Sequence, residues 1–191
     1  MERAELLKDT NLPIHNKIVP TKSEKSSYFK NRFVNKLVAE HMNPKENKIP
    51  SIIFDFRYVK NLNDPMLCRS MVKQYCELIT LNLSSLDSFK IKFYNYLKDS
   101  MFHKNFKDVD QTYNVNFVDT YEHNYLEDFN KSDLIYLSGD AKQEIKYFDP
   151  TKTYIIGSII DKNDEHKYSS FTTAKKEGIT SLRLPIDKYI R

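Results

Sequence analysis

The 191-residue chain carries 30 Lys/Arg against 26 Asp/Glu, thirteen Tyr, twelve Phe, no Trp and only three Gly. Against a typical glycine usage of roughly 7%, that shortage excludes a collagen-like repeat, a Gly/Ser linker array, and a P-loop or dinucleotide fingerprint, each of which consumes several glycines. The net charge of +4 belongs entirely to residues 1–50, where ten basic residues face six acidic ones; the 20 basic and 20 acidic residues that follow cancel.

The first nine residues are acidic at Glu2, Glu5 and Asp9 and lack an apolar core, so they read as neither a secretory signal nor an organelle transit peptide. That leaves a protein that stays where it is made, or a chain given without its leader. Ser26 or Ser27 can cap a helix running to about His41, with Phe29, Val34, Phe33, Leu37 and Val38 at i, i+4 spacing. Lys30, Arg32 and Lys36 lie elsewhere on that helix and are the candidate RNA-phosphate contacts. A solvated face on a helix packed by its apolar stripe is the equal alternative. Pro44 and Pro50 mark a boundary between a basic arm, 1–50, and a domain, 51–191.

The domain begins with Ser51-Ile-Ile-Phe-Asp-Phe56, a run of strand formers, and Asp64-Pro65 then opens a helix carrying Leu67, Met71, Tyr75, Leu78 and Ile79. Cys68 and Cys76 fall within this helix, where buried apolar positions suit them better than a disulfide or a metal pair. Phe89 to Tyr94 alternates as a strand. Residues 98–130 show no clear period and predict a long connection with a short helix. Leu134 to Leu137 is a third strand, followed by a helix from about Asp140 to Tyr147. Thr153 to Ile156 is a fourth strand, a helix from about Ser169 to Glu177 stops at Gly178, and Thr180 to Leu184 is a fifth strand. Strands and helices alternating in this way predict an α/β fold with a parallel sheet. The longest apolar run, Tyr154 to Ile160, is broken by Gly157 and Ser158 and falls short of the ~20 residues of a membrane span, so a soluble chain with no membrane partner is expected.

Ligands of such sheets bind beyond the carboxyl ends of the strands, which directs attention to Leu137-Ser-Gly-Asp140, Gly157-Ser-Ile-Ile-Asp161 and Leu184-Pro-Ile186. Gly139 and Gly157 at two of these ends admit either a ligand against the backbone or a simple turn. Asp161 leaves an apolar strand where a crevice would lie; a base with a raised pKa and a helix-capping Asp are both open readings. For Asp55, inside the first strand, a structural hydrogen-bonding role is expected. No HExxH, zinc spacing or nucleophile elbow is present, and no metal is expected.

Three blocks, Asp133-Leu-Ile-Tyr-Leu-Ser138, Lys152-Thr-Tyr-Ile-Ile-Gly-Ser-Ile-Ile-Asp-Lys162 and Leu184-Pro-Ile-Asp-Lys-Tyr189, resemble in order and spacing the tRNA purine-9 N1-methyltransferase family of the SPOUT class. They are most similar to its mitochondrial branch, which holds the methyltransferase subunit of ribonuclease P. The likeness is strongest from Asp133 to Ile190, collinear from Ile52 and faint in the arm. It implies a sheet domain with a C-terminal trefoil knot that holds S-adenosyl-L-methionine, with Leu137, Ser138, Gly157, Lys162, Leu184, Pro185 and Ile186 lining the cofactor and Asp161 as the catalytic aspartate. It also implies tRNA and precursor tRNA as substrates, a short-chain dehydrogenase subunit and a protein-only ribonuclease P nuclease as partners, and a mitochondrial matrix location. Many members have two glycines where this chain has Gly157-Ser158, and the family continues past the Leu-Pro-Ile block, so the domain is expected to be C-terminally incomplete. The alternative within the same resemblance is a non-catalytic scaffold that binds tRNA.

Overall fold

The structure, a computed structural model, describes residues 50–59, 62–84, 89–113, 118–159 and 167–189. Its framework is a six-stranded sheet, every pairing parallel, in the order β3-β2-β1-β5-β4-β6. The strands are β1 (Ser51–Asp55), β2 (Lys90–Tyr94), β3 (Asp119–Thr120), β4 (Leu134–Leu137), β5 (Thr153–Gly157) and β6 (Thr180–Leu182). Among the described residues four α-helices accompany them: α1 (Pro65–Ser84), α2 (Met101–Tyr113), α3 (Ser169–Glu177) and the short α4 (Ile186–Tyr189).

Local chemistry explains the expected elements. Asp64 Oδ1 accepts the N–H groups of Met66 (2.8 Å) and Leu67 (3.2 Å), and Pro65 occupies the first helical position, where its missing N–H costs nothing. From there Cys68, Met71, Val72, Tyr75, Cys76 and Ile79 form one buried stripe, in which neither cysteine is disulfide-bonded. Gly178 ends α3 at φ +71°, and the Ile179 N–H returns to the Ala174 carbonyl at 2.9 Å.

Alternation along the strands divides the core into two faces. Ile52 and Phe54 of β1, with Ile91 and Phe93 of β2, meet α1 and α2 in an aromatic cluster completed by Phe56, Tyr75, Tyr96, Phe102 and Phe106. Ile53, Tyr94, Tyr136 and Ile155 point the other way, against Tyr125, Ala174 and Ile179. Helices on both faces are what an all-parallel sheet requires, because both of its faces are apolar.

Three expectations are corrected. Residues 140–147 form turns and bends, not a helix. Here Glu144 makes a parallel bridge to Arg183, the Ile145 N–H bonds the Arg183 carbonyl at 2.9 Å, and the Arg183 N–H bonds the Gln143 carbonyl at 2.8 Å. The segment spends its backbone groups on the end of β6 instead of on a helix of its own. Second, β6 stops at Leu182, and α4 follows Pro185. Third, the stretch expected as a loop with a short helix contains the 13-residue α2 and the edge strand β3. The arm helix expected over residues 26–41 lies outside the described residues.

Candidate functional site

The order in which strands are added, not their direction, switches sides at the centre of the sheet. From β1 the chain moves outward through β2 to β3, then crosses to the far side, where β5, β4 and β6 complete the order. The crevice of such a sheet opens beyond the carboxyl ends of the two strands flanking the switch, here β1 and β5, whose last residues Asp55 and Gly157 are register partners. The ladder continues one step past them through the Ser158 N–H to the Asp55 carbonyl at 3.0 Å. A pocket of about 200 Å³ opens there between the strand ends and α1, its lining including Phe54, Met71, Tyr75, Gly157, Ser158 and Ile159. Ser158 is buried and its Oγ accepts the Tyr75 hydroxyl at 2.7 Å, while burial pushes the Tyr75 phenol well above its usual pKa.

The same edge gathers the strand ends singled out in the sequence. Leu137 pairs with Ile156 on one side and Leu182 on the other, and the Ser138 N–H bonds the Leu182 carbonyl at 2.9 Å. Leu137 and Ser138 are thus buried between the ends of β5 and β6. Leu184 and Ile186 project from the following turn, 38% and 53% exposed, with Pro185 between them. Glu144 reaches across to this turn, paired with Arg183 at 2.7 Å and with Lys188. The structure therefore brings Leu137, Ser138, Gly157, Leu184, Pro185 and Ile186 onto one edge of the sheet. Asp161, Lys162, Lys30, Arg32 and Lys36 lie outside the described residues.

Gly157 does more than expose backbone. A Cβ at this position would stand 2.6 Å from Ser170 Oγ and 3.3 Å from both Ile159 Cδ1 and the Tyr136 hydroxyl. The missing side chain makes room for the first turn of α3. Gly139 has open space around it.

Beneath the edge lies a polar network that sequence reading found only in part. Asp55 is fully buried, as its expected structural role requires. Its Oδ1 accepts the Asn95 amide at 2.8 Å and the Arg57 N–H at 3.1 Å, and its Oδ2 takes the Tyr136 hydroxyl at 3.1 Å and lies 2.6 Å from Arg57 Nε. That last contact is a charge pairing without the angle of a directed hydrogen bond. Arg57 continues to Glu177 at 2.6 Å and to the Tyr125 hydroxyl at 2.8 Å, tying β1 to the end of α3. Burial pushes the Asp55 carboxyl upward, against the pull of Arg57 and its hydrogen-bond donors. Burial also opposes the Arg57 charge, yet Asp55 and Glu177 outweigh it and the guanidinium is held firmly protonated. The Asp-x-Arg spacing was a visible signal for this pair; Asn95 and Tyr136 come from distant segments and left none.

Among the described residues no cluster of three or more His, Cys, Asp or Glu is arranged to hold a metal ion, and no helix is long and apolar enough to cross a membrane. The site is thus a strand-end crevice with apolar walls over a buried ion-pair network.

Residues 5–191 match the family model described as tRNA (guanine(9)-N(1))-methyltransferase TRM10/TRM10A. The chain is 35% identical over 141 residues to tRNA methyltransferase 10 homolog C of Xenopus tropicalis, an alignment covering 73% of this chain and 31% of that protein. It is 49% identical over 61 residues to the tRNA (guanine(9)-N1)-methyltransferase of Candida albicans, covering 32% of this chain and 19% of that protein. The matched region thus spans about a third or less of the length of these curated relatives. Among solved structures, full-length spTrm10 in complex with SAH superposes with a TM-score of 0.65 at 27% identity, covering 76% of this chain and 83% of the other. A dual-specific Trm10 from Thermococcus kodakaraensis, at 16% identity and a TM-score of 0.53, shares the fold.

Proposed function

Since the chain belongs to the tRNA (guanine(9)-N(1))-methyltransferase TRM10/TRM10A family, we propose that it acts as an S-adenosyl-L-methionine-dependent methyltransferase on N1 of the purine at tRNA position 9. The observation that carries this reading is the gathering of three strand ends, 137–138, 157–159 and 184–186, on one edge of the sheet. The residues there fit the cofactor. Leu184 and Ile186 are part-exposed apolar side chains without a covering layer among the described residues, suited to the face of an adenine. Leu137 and Ser138 form the floor between them and Gly157, and Pro185 fixes the turn between the two apolar walls. Lys162, on the segment that follows Gly157, completes the proposed cofactor set. A knotted path of the chain around that group belongs to the same proposal.

S-adenosyl-L-methionine, when bound, supplies a methyl group on a sulfonium. The task left to this chain is to present the purine N1 in line and to manage its proton. Guanine N1 is protonated at neutral pH, and a carboxylate within hydrogen-bond reach can take that proton as the bond to carbon forms. Asp161 is the residue assigned to it. Adenine N1 already offers a lone pair, so adenine needs positioning and no base. Lys30, Arg32 and Lys36 of the arm would neutralise tRNA phosphates.

The 141-residue alignment to homolog C proteins supports placement in the mitochondrial branch, and with it a role in tRNA 5′-end processing beside a dehydrogenase subunit and a protein-only nuclease, in the matrix. The test uses calorimetric titration of S-adenosyl-L-methionine and methylation of tRNA transcripts with G or A at position 9. Asp161→Asn should lower guanine methylation by roughly 10²-fold or more while cofactor affinity stays unchanged. A variant that methylates guanine at the wild-type rate overturns the assignment of Asp161. A wild-type chain that binds tRNA and no cofactor replaces the enzyme with the scaffold reading.

A further inference from the structure

The residue that leads into α3 is held in a conformation its side chain disfavours. Tyr168 sits at φ +63°, ψ +3°, in the left-handed region that glycine enters freely and other L residues enter at a cost. The surrounding contacts over-determine this backbone. The Tyr168 carbonyl accepts the Thr172 N–H at 2.8 Å, and the next carbonyl, of Ser169, lies 3.3 Å from the Tyr58 hydroxyl, which also reaches Thr173 Oγ1 at 2.7 Å. One residue further, Ser170 Oγ occupies the space that a side chain on Gly157 would need. The turn is therefore built into the carboxyl edge of the sheet, beside Gly157.

The ring carried on this turn is poorly spent on packing. Tyr168 remains 51% exposed, and the Lys167 ammonium lies 5.8 Å from its ring centroid. Core packing does not account for an aromatic residue that is both strained and half-exposed, and strain of this kind gathers where proteins contact ligands. Aromatic rings bind nucleobases by stacking whatever the sequence, because every base has a π-face, and an adjacent cation strengthens such a platform.

Resting on the tRNA-methyltransferase reading above, we infer that Tyr168 is an RNA-contacting residue, its ring stacking on a nucleobase of bound tRNA at the rim of the site, with Lys167 facing the adjoining phosphate. Glycine at 168 would satisfy the backbone better; what tyrosine adds at this position is an exposed ring.

The experiment measures binding of a labelled tRNA transcript to the full 191-residue chain and to Tyr168→Phe, Tyr168→Gly and Lys167→Ala, with thermal melts and cofactor titrations alongside. Tyr168→Phe should hold the Kd within about 2-fold, while Tyr168→Gly should weaken it by roughly 5- to 100-fold, the range expected when one base loses its stacking platform. Tyr168→Gly should melt at or above the wild-type Tm, because the strain is relieved. Lys167→Ala should lower the slope of log Kd against log salt by about 1, with the slope unchanged in both tyrosine variants. A glycine variant that binds tRNA like wild type, or a phenylalanine variant that loses as much as the glycine one, overturns the inference. A wild-type chain that binds S-adenosyl-L-methionine and no tRNA overturns the stacking role and leaves the cofactor reading standing. Stacking through Tyr168 in a chain that binds no cofactor does the reverse.

Discussion

At Gly157 the absent side chain is filled by a neighbour's hydroxyl, and this turns a glycine expected to make room for a ligand into one that also makes room for a helix. Ser170 Oγ would stand 2.6 Å from an added Cβ, far inside van der Waals contact. A serine hydroxyl can rotate away, so Gly157→Ala should cost about 1 kcal/mol, the low end of overpacking. Ser170→Ala in the same chain should recover most of that loss, as read by urea denaturation of the two single variants and the double. A double variant no more stable than Gly157→Ala alone would show that the Tyr136 hydroxyl or Ile159 is the harder obstacle. Asp55 illustrates what a sequence conveys about a residue and what it withholds. A carboxylate inside an apolar strand must be hydrogen-bonded, so its structural role was legible. Its partners Asn95 and Tyr136 lie on other strands or just past them, and no local pattern announces a pairing that only the folded sheet creates.

Among the elements, those with a strong period or a clear stop signal were legible: α1 from Asp64-Pro65 and its apolar stripe, β5 from Thr-Tyr-Ile-Ile, α3 from Gly178. Two of the three corrected expectations have separate causes. In 140–147, Ala141 and Ile145 have helical spacing and are buried, but the backbone of 143–145 finds better partners on Arg183. In α2 the buried anchors Phe102 and Phe106 sit among polar residues, so the stripe is too thin to stand out. The Glu144 clamp suggests a measurement at this scale. Lys188 and Arg183 hold the Glu144 carboxyl below its ordinary value of 4.5. A carboxyl whose pKa is depressed on folding stabilises the fold above its unfolded value, and that contribution fades as pH falls through the folded value. Glu144→Gln should therefore melt slightly lower than wild type at neutral pH, and the two melting curves should converge in acid below 4.5. A gap that persists there would mean that the carboxyl packs without acting as a charge.

For the whole molecule, the parallel sheet follows from the alternating pattern of the sequence, and the structure confirms that arrangement. The charge distribution makes a prediction at the same scale. The excess of basic residues sits in 1–50 and the remainder is balanced, so long-range attraction for a polyanion is expected to come from those residues. Replacing Lys30, Arg32 and Lys36 together with Ala should reduce the slope of log Kd for tRNA against log salt by about 2 to 3, close to one for every phosphate that is no longer neutralised. An unchanged slope would show that these three side chains do not neutralise tRNA phosphates.

The central pairing of β1 with β5 has a consequence for how the protein is made. Ser51 pairs with Thr153 and Asp55 with Gly157, partners that leave the ribosome about 100 residues apart. At 5–20 residues per second, roughly 5 to 20 s separate them. Through that interval Ile52, Ile53 and Phe54 wait with one backbone edge bare, a template for pairing with another nascent chain. Anything that slows translation between these two strands lengthens the wait, and aggregation during synthesis should rise with it even though the finished protein is unchanged.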